Sequence, residues 1–214
     1  MSSRIVFRRT VMKLVGSLTS PFVRKIRVQL QEKEIPYEFV LENVWDENTR
    51  IADHNPLGKV PCLILDGGQT VFDSLVISGT LEYMMPTVPL LPTNPNMRAL
   101  VRTMESLGQG ISQAAVDIIL EKKFHEGDKV SQALIDRQTQ KIHNGLAWVS
   151  HRIKTTPGFY LTEQFSLADI TVGCALFYLD FRMPELKWRE LYPELNEYSE
   201  RIACRPSFED TKPQ

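Results

Sequence analysis

The stretch MKLVGSLTSPFVRKI, residues 12–26, predicts a strand, a turn and the start of a helix. Residues 12–15 form a short, mostly apolar run of the kind found in buried strands. Ser20 favours a helix N-cap because its hydroxyl accepts a hydrogen bond from an unpaired amide, and Pro21 favours the first helical position because it lacks an amide. The apolar residues that follow recur on one helix face: Val23, Ile26 and Leu30.

The start of this helix carries two neighbouring hydroxyl groups, on Thr19 and Ser20. They lie at the positive end of the helix dipole, where thiolates, carboxylates and phosphates are stabilised. Taken alone, Ser20 is better explained as a cap with no further role. Two signals further along the chain, at residues 60–61 and 73–74, predict instead that it belongs to a binding site.

Composition limits the classes of function. The 214 residues are 43% hydrophobic and 24% charged, which is typical of a globular chain with one large or two small domains. Twenty-five basic and 26 acidic residues give a formal charge of −1, so there is no electrostatic basis for binding nucleic acid or an anionic membrane. The longest apolar stretch, residues 170–179, is about half of a membrane span. We expect small molecules or other proteins as partners.

Three cysteines, Cys62, Cys174 and Cys204, are widely spaced and form no CxxC or Cys/His cluster. This pattern predicts no metal site and favours a reducing, cytoplasmic compartment. Cys62 and Cys174 lie in or beside apolar runs and are expected to be buried. Residues 1–11 lack the apolar region and cleavage site of a secretory signal, so we expect an extension outside the fold, with a short organellar presequence as the alternative.

The first part of the chain, residues 12–86, predicts four strands and two helices in the order βαβ, then ββα. The strands are expected at residues 12–15, 36–41, 62–65 and 69–72. The βαβ unit should be right-handed with parallel strands, whereas the Asp-Gly-Gly turn at residues 66–68 should make the last two strands antiparallel. Asp73 and Ser74 should cap the second helix.

Beyond a proline-rich linker at residues 87–96, the pattern is helical only, which defines a second domain over residues 97–214. Gly108 and Gly110 interrupt the first long helix and indicate a bend or the close approach of another backbone. Ser166 and Asp169 form a capping box before an apolar helix that should be the buried centre of this domain.

Two further features should join the first helix start in one cleft. A cis bond at Val60-Pro61 would leave the Val60 backbone facing outward, able to pair with an extended peptide. The helix start at Asp73-Ser74 offers a second site for a carboxylate. Together these three features describe a cleft that binds a short anionic peptide.

Five motifs in order now identify a family resemblance. They are Ser-Pro-Phe at 20–22, Asn-Pro-Leu-Gly-Lys-Val-Pro at 55–61, Phe-Asp-Ser at 72–74, the proline-rich linker and Ser-Leu-Ala-Asp-Ile at 166–170. Residues 12–208 closely resemble the cytosolic glutathione transferases, in particular bacterial members. The resemblance implies an α/β plus all-α architecture. A thioredoxin-like N-terminal domain would bind glutathione, and an all-helical C-terminal domain would supply most of the second-substrate pocket.

The resemblance also implies which residue activates the thiol. Ser20 stands where the omega-like and beta-like branches have Cys, and Thr19 stands where the theta-like and delta-like branches have Ser. Ser20 is the first choice and Thr19 the alternative. Because Ser20 cannot form a mixed disulfide, we expect conjugation or peroxide reduction rather than disulfide exchange. Glutathione would be a co-substrate, with no metal.

The remaining glutathione contacts follow from the same resemblance. Val60 would bind the cysteinyl backbone, and Asp73 with Ser74 would bind the γ-glutamyl end. Asp73 stands where many members have the longer Glu. Lys59 and Lys33 are candidates for the glycyl carboxylate. The predicted glutathione-binding set is completed by Phe22 and Pro61.

Three alternatives follow for function and assembly. The main reading is a homodimeric transferase acting on an electrophilic small molecule, with the segment at Gly108 and Gly110 as a subunit contact. The alternative is a non-catalytic, transferase-like protein-binding or regulatory module, and a third reading is a glutathione-dependent isomerase or dehalogenase. The basic turn beside the site is expected to be a solvated face, with contact to the carboxylates of glutathione as the alternative: Arg24, Lys25 and Arg27.

Overall fold

A computed structural model describes residues 11–156, 158 and 160–213. The predicted N-terminal extension lies outside the described residues except for Val11. Within the described ranges, no helix is long and apolar enough to cross a membrane.

A four-stranded mixed sheet occupies the N-terminal part of the chain. Its strands are β1 (Met12–Gly16), β2 (Tyr37–Leu41), β3 (Cys62–Ile64) and β4 (Thr70–Val71), in the spatial order β2-β1-β3-β4. β1 and β2 are parallel, and β3 is antiparallel to both β1 and β4. The predicted βαβ unit and the predicted hairpin are therefore confirmed, each within two residues at the strand ends.

Two helices pack on this sheet, α1 (Pro21–Glu32) and α2 (Ser74–Met84). The apolar face predicted for α1 is buried and shares one core cluster with Leu14, Leu63 and Ile77. Residues 85–94 between α2 and α3 contain no helix or strand. This agrees with a linker, and the division of the chain into domains there remains a prediction.

The C-terminal part is helical. Its helices are α3 (Pro95–Phe124), α4 (Gln132–Thr155), α5 (Leu167–Arg182), α6 (Trp188–Leu191), α7 (Pro193–Ala203) and α8 (Pro206–Glu209). Single 3₁₀ turns lie at Ile51–Asp53, Gly127–Lys129 and Pro184–Leu186. α5 is buried along almost its whole length, as its apolar composition predicts. The four-residue helices α6 and α8 were not predicted, because one turn is too short to give a periodic pattern.

α3 continues without interruption through Gly108 and Gly110. A Cβ atom at Gly108 would lie 2.9 Å from the backbone carbon of Thr171 in α5. The predicted close approach of another backbone is therefore observed at Gly108. Gly110 is exposed and has open space around the position of a Cβ.

The prediction that the basic residues of α1 are solvated is wrong. Lys25 is buried, and its Nζ lies 2.6 Å from Oε1 of the buried Glu105 in α3. Arg24 is also buried and donates to the carbonyl oxygen of Phe208 at 3.0 Å. Burial lowers the pKa of Lys25, and the neighbouring Glu105 opposes that shift. These cations are covered because α3, α5 and α8 pack against α1, which composition alone does not reveal.

Arg27 follows the same trend less completely. It is half-buried, donates to the carbonyl oxygen of Asp210 at 3.3 Å and lies over the ring of Phe39. The basic turn therefore attaches α1 to the C-terminal part of the chain.

Candidate active site

Strand register brings three separate segments to one edge of the sheet. The end of β1 pairs with the start of β3, where Val15 lies opposite Cys62, and the end of β4 lies beside the same start. The segments that adjoin these strand ends are residues 17–20, 60–61 and 72–74. The convergence expected from the sequence is therefore observed.

At the start of α1, Ser20 is the N-cap and Pro21 takes the first helical position, as predicted. Ser20 Oγ accepts a hydrogen bond from the Val23 N–H at 3.3 Å. Among the described residues no acceptor is found for the Ser20 hydroxyl proton, and the residue is only half-buried. Ser20 therefore caps its helix and still has a proton that it can donate to an anion.

The neighbouring Thr19 differs from Ser20 in that its hydroxyl is paired with another side chain. Its Oγ1 lies 3.0 Å from Ser17 Oγ, so the two hydroxyls share one hydrogen bond. Ser17 also accepts from the Thr19 N–H at 3.3 Å. Sequence reasoning missed Ser17, although its place directly after β1 was a usable signal.

The loop before β3 presents the backbone of Val60. The Val60–Pro61 peptide bond is cis. The buried Asn55 fixes the loop, because its Nδ2 donates to the Lys59 carbonyl at 2.9 Å and its Oδ1 accepts from the Leu57 N–H at 3.0 Å. Within the described part of the chain, neither the N–H nor the C=O of Val60 makes a hydrogen bond. An extended peptide can therefore pair with it.

The start of α2 combines an exposed and a buried polar residue. Asp73 is the N-cap and accepts from the Leu75 N–H at 2.8 Å, as predicted, and its side chain is exposed. Ser74 is only 2% exposed, and its Oγ donates to Oε1 of Gln109 at 3.0 Å. Gln109 belongs to α3 and was missed, because nothing in the sequence places it beside residue 74.

The structure contradicts the assignment of Lys33 to a ligand carboxylate. Lys33 caps the opposite end of α1 from Ser20, roughly 20 Å away at 1.5 Å per residue. Its buried ammonium pairs with Glu82 Oε1 at 2.9 Å and donates to the carbonyl oxygens of Met85 and Val88. Lys59, by contrast, is exposed beside Val60.

The cysteines supply no reactive thiol at this edge. Cys62 is buried at the start of β3, and burial raises the pKa of its thiol to about 11. Burial likewise raises the pKa of Cys174 to about 11. Both predicted burials are confirmed, and Cys204 is exposed. Sulfur chemistry at this edge therefore requires a thiol that the ligand brings.

An aromatic contact joins the loop after β2 to the end of α3. The loop after β2 leaves from the same edge, since the Glu42 N–H donates to the Gly16 carbonyl at 2.9 Å. In this loop the ring of Trp45 lies 5.1 Å from that of Phe124, at the end of α3, and Lys123 Nζ lies 4.6 Å from the Trp45 ring. This group bridges the loop and α3.

The arrangement suits an anionic, extended ligand. Two helix N-termini, at Ser20 and Ser74, offer partial positive charge, and Val60 lies at the same edge with its backbone free. A separate cavity of about 290 Å³, lined by parts of residues 89–97 and 162–166, includes none of these residues. In the described ranges, no three His, Cys, Asp or Glu side chains are grouped to hold a metal ion.

Comparison with known proteins agrees with this geometry. The family profile "Glutathione S-transferase, N-terminal domain" matches residues 19–83, and "Glutathione S-transferase, C-terminal domain" matches residues 132–201. The GST-like protein YibF of Escherichia coli (strain K12) is 36% identical over 202 residues, which cover 94% of this chain and 98% of YibF.

Two solved structures are similar over most of the chain. A glutathione S-transferase from Methylobacillus flagellatus KT, described with glutathione bound, is 38% identical with a TM-score of 0.90, covering 95% of this chain and 100% of its own. One from Methylobacterium radiotolerans JCM 2831, in complex with glutathione sulfonate, is 37% identical with a TM-score of 0.90, covering 95% of each chain. With both family profiles matched and relatives this similar over almost its whole length, the chain belongs to the glutathione S-transferase family.

Proposed function

We propose that the protein binds glutathione, lowers the pKa of its thiol and transfers the thiolate to an electrophilic small molecule, or uses it to reduce a peroxide. The observation that carries this proposal is the convergence of the two helix starts and the Val60 backbone at one sheet edge. The relatives described with glutathione or glutathione sulfonate bound support it.

The ligand groups are assigned as follows. The Val60 backbone pairs with the cysteinyl backbone of glutathione, and the start of α2 holds the γ-glutamyl end through Asp73 and Ser74. Lys59 is the candidate for the glycyl carboxylate, since Lys33 is used elsewhere. Phe22, half-buried at the second position of α1, and Pro61, buried beside Val60, complete the lining.

Ser20 activates the thiol by donating a hydrogen bond to its sulfur. A free thiol has a pKa of about 8.5, so only a few per cent is ionised at neutral pH. The free Ser20 proton and the N-terminus of α1 both favour the thiolate, and a shift of about one to two units needs about 1.4–2.8 kcal/mol. Ser20 is not itself the nucleophile, because no described histidine is bonded to it as a base.

Ser20 is preferred over Thr19 because its hydroxyl makes no hydrogen bond to another side chain, whereas the Thr19 hydroxyl is paired with that of Ser17. Titration calorimetry with glutathione tests binding, and the conjugation rate with an aryl halide tests activation. We expect Ser20→Ala to abolish most of the rate and Thr19→Val to leave it within a few-fold. The reverse result would transfer the role to Thr19, and absence of glutathione binding by the wild type would overturn the whole proposal.

Serine at this position also predicts the type of chemistry. A bacterial, Ser-type member cannot form a mixed disulfide between Ser20 and glutathione, so conjugation or peroxide reduction is expected. The variant Ser20→Cys should gain disulfide reductase activity. Efficient reduction of mixed disulfides by the wild type would contradict this assignment.

The proposal includes a cytoplasmic homodimer. A groove of about 640 Å³ is lined by residues of α3 and by Lys141 of α4, and Arg102 in its lining lies 3.5 Å from the position that a Cβ would take at Gly79 of α2. On α2, Tyr83 is 89% exposed, which a second copy would cover. Gly110 lines the groove, whereas Gly108 is buried against α5. Of the two glycines expected at a subunit contact, only Gly110 is therefore retained.

Light scattering after size exclusion tests the dimer. Tyr83→Glu should give a monomer, while Leu191→Glu, at an exposed position of α6, should not. A monomeric wild type would contradict the dimer without affecting glutathione binding. No feature of the described residues favours the non-catalytic alternative, and retention on immobilised glutathione together with turnover separates it from the transferase.

A further inference from the structure

Gln109 connects the helical part of the chain to the start of α2. It lies on α3, and its Oε1 accepts the hydrogen bond that the buried Ser74 hydroxyl donates at 3.0 Å. The adjacent Gly108 lies against the α5 backbone, which holds this part of α3 in place. Ser74 is therefore aligned by a residue that is 35 positions away in sequence.

The number of protons that Ser74 and Gln109 can donate limits how Ser74 can bind a ligand. A serine hydroxyl has one proton, and its nearer acceptor is Gln109 Oε1 at 3.0 Å, while Asp73 Oδ1 lies at the limit of hydrogen-bond distance, 3.5 Å away. Ser74 cannot donate the same proton to a ligand carboxylate at the same time. The glutamine side chain resolves this conflict, because its terminal amide carries both an acceptor and two donors and rotates about a soft torsion.

We propose that Gln109 is a positioning residue for the γ-glutamyl carboxylate of glutathione, acting through Ser74. When the ligand binds, the amide of Gln109 rotates so that its Nε2–H donates to Ser74 Oγ. The Ser74 proton then donates to the carboxylate, giving a chain from amide to hydroxyl to anion. This inference rests on the proposed function.

A glutamate at position 109 would interrupt this series of hydrogen bonds, although its side chain has the same size and shape as that of glutamine. A Gln109→Glu side chain can only accept a hydrogen bond, so it would hold the Ser74 proton and would also repel the ligand carboxylate. Gln109→Met keeps the length but can neither hold the proton nor repel the anion, so it should have a weaker effect. Gln140→Glu, an exposed position on α4, is the matched control for the charge change.

The test measures calorimetric dissociation constants for glutathione and for an analogue that lacks the γ-glutamyl α-carboxylate. We expect Gln109→Glu to weaken glutathione binding by 10-fold or more, at about the scale of one charge-assisted hydrogen bond. Gln109→Met should weaken it by about 3-fold, and Gln140→Glu should have no effect. The analogue should bind all four proteins equally, and the turnover number at saturating glutathione and its pH profile should not change.

The following results separate the possibilities. Equal weakening of glutathione and the analogue by Gln109→Glu, or a change in the pH profile, would show a general structural role and overturn the inference. An unchanged affinity for glutathione would also overturn it, while leaving the transferase proposal intact. If Gln109→Glu does not fold, an effect of Gln109→Met on the analogue as large as on glutathione decides against it. Absence of glutathione binding by the wild type would overturn the proposed function itself.

Discussion

Helices α5 and α1 both begin with a serine N-cap, Ser166 and Ser20, but the two helix starts differ in how far the rest of the protein covers them. At the start of α5, the carboxylate of Asp169 is fully buried and accepts hydrogen bonds from the Leu161 N–H, the Ser166 N–H and hydroxyl, and the Tyr198 hydroxyl, all at 2.9–3.0 Å. Burial raises the pKa of Asp169, and these bonds act in the opposite direction. At the start of α1, Ser20 is half-buried and its hydroxyl accepts a hydrogen bond from one amide only.

The difference shows that a capping signal does not by itself distinguish structure from function. Both serines cap helices for the same physical reason. The fold buries Ser166 and Asp169 at the start of α5 and occupies their polar groups, whereas it leaves Ser20 at the start of α1 half-buried. The start of α2 is intermediate, since Asp73 is exposed and Ser74 is buried.

The largest effect is expected at the buried start of α5, and it is an effect on stability. Asp169→Ala should reduce the free energy of unfolding by at least about 3 kcal/mol, because it leaves several buried donors without an acceptor, each costing about 1–3 kcal/mol. Urea denaturation measures the change. A loss below about 1 kcal/mol would mean that the buried network is not the main support of this helix start.

The second-largest effect is expected at the start of α1, and it is an effect on the conjugation rate. Ser20→Ala should lower the conjugation rate about 100-fold, the scale for removing one donor to a developing anion, and should cost only about 1 kcal/mol of stability. Ser131→Ala on α4 is the matched control, since Ser131 caps its helix with the same 3.3 Å bond. It should lose similar stability and no activity. Equal loss of activity in both variants would contradict a specific role for Ser20.

Cysteine variants at the starts of α1 and α5 should differ in their reactivity. In a Cys204→Ser background, the native Cys62 and Cys174 stay protonated at pH 8 because burial raises the pKa of each to about 11. Ser20→Cys should then react rapidly with a thiol reagent, with half-maximal rate below about pH 7.5, because a helix N-terminus lowers a thiol pKa. Ser166→Cys should react only after unfolding. Rapid labelling at position 166 would show that its cover opens.

The smallest effect is expected at the aromatic contact between the loop after β2 and the end of α3. Trp45→Ala should reduce the free energy of unfolding by about 1 kcal/mol, the scale of one aromatic pair with an exposed cation. A double-mutant cycle with Phe124→Ala measures the pairwise term, which should be about 0.5–1.5 kcal/mol. A coupling energy near zero would mean that the two rings do not hold the loop to α3.

The sequence predicted the features that depend on neighbouring residues. The N-cap Ser20, the cap Asp73, the capping box at Ser166 and the hairpin after β3 each need only a few adjacent side chains, and all are observed. The order of strands and helices followed from periodicity. The convergence of three segments followed from the βαβ and hairpin rules, because those rules fix which strand ends meet.

The features that the sequence did not predict join residues far apart in the chain. Lys25 looked solvated because its partner Glu105 lies 80 residues away, and Gln109 is 35 residues from Ser74. Lys33 looked like a free cation, although the segment after α2 surrounds it. Residue type and local pattern show which hydrogen bonds a side chain can form, but the packing of the helices determines which partners lie beside it.

The absence of a side chain at Gly108 limits which substitutions the protein can accept at that position. With no Cβ there, α3 rests on the α5 backbone, so its rotation about its own axis is fixed at that point. The next residue, Gln109, is about 100° further around the helix, and its direction toward α2 follows from that rotation. Any larger residue at 108 would turn or lift the helix and so swing position 109 away from Ser74. Gly108→Ala should therefore impair recognition of the tripeptide from a site that does not touch it.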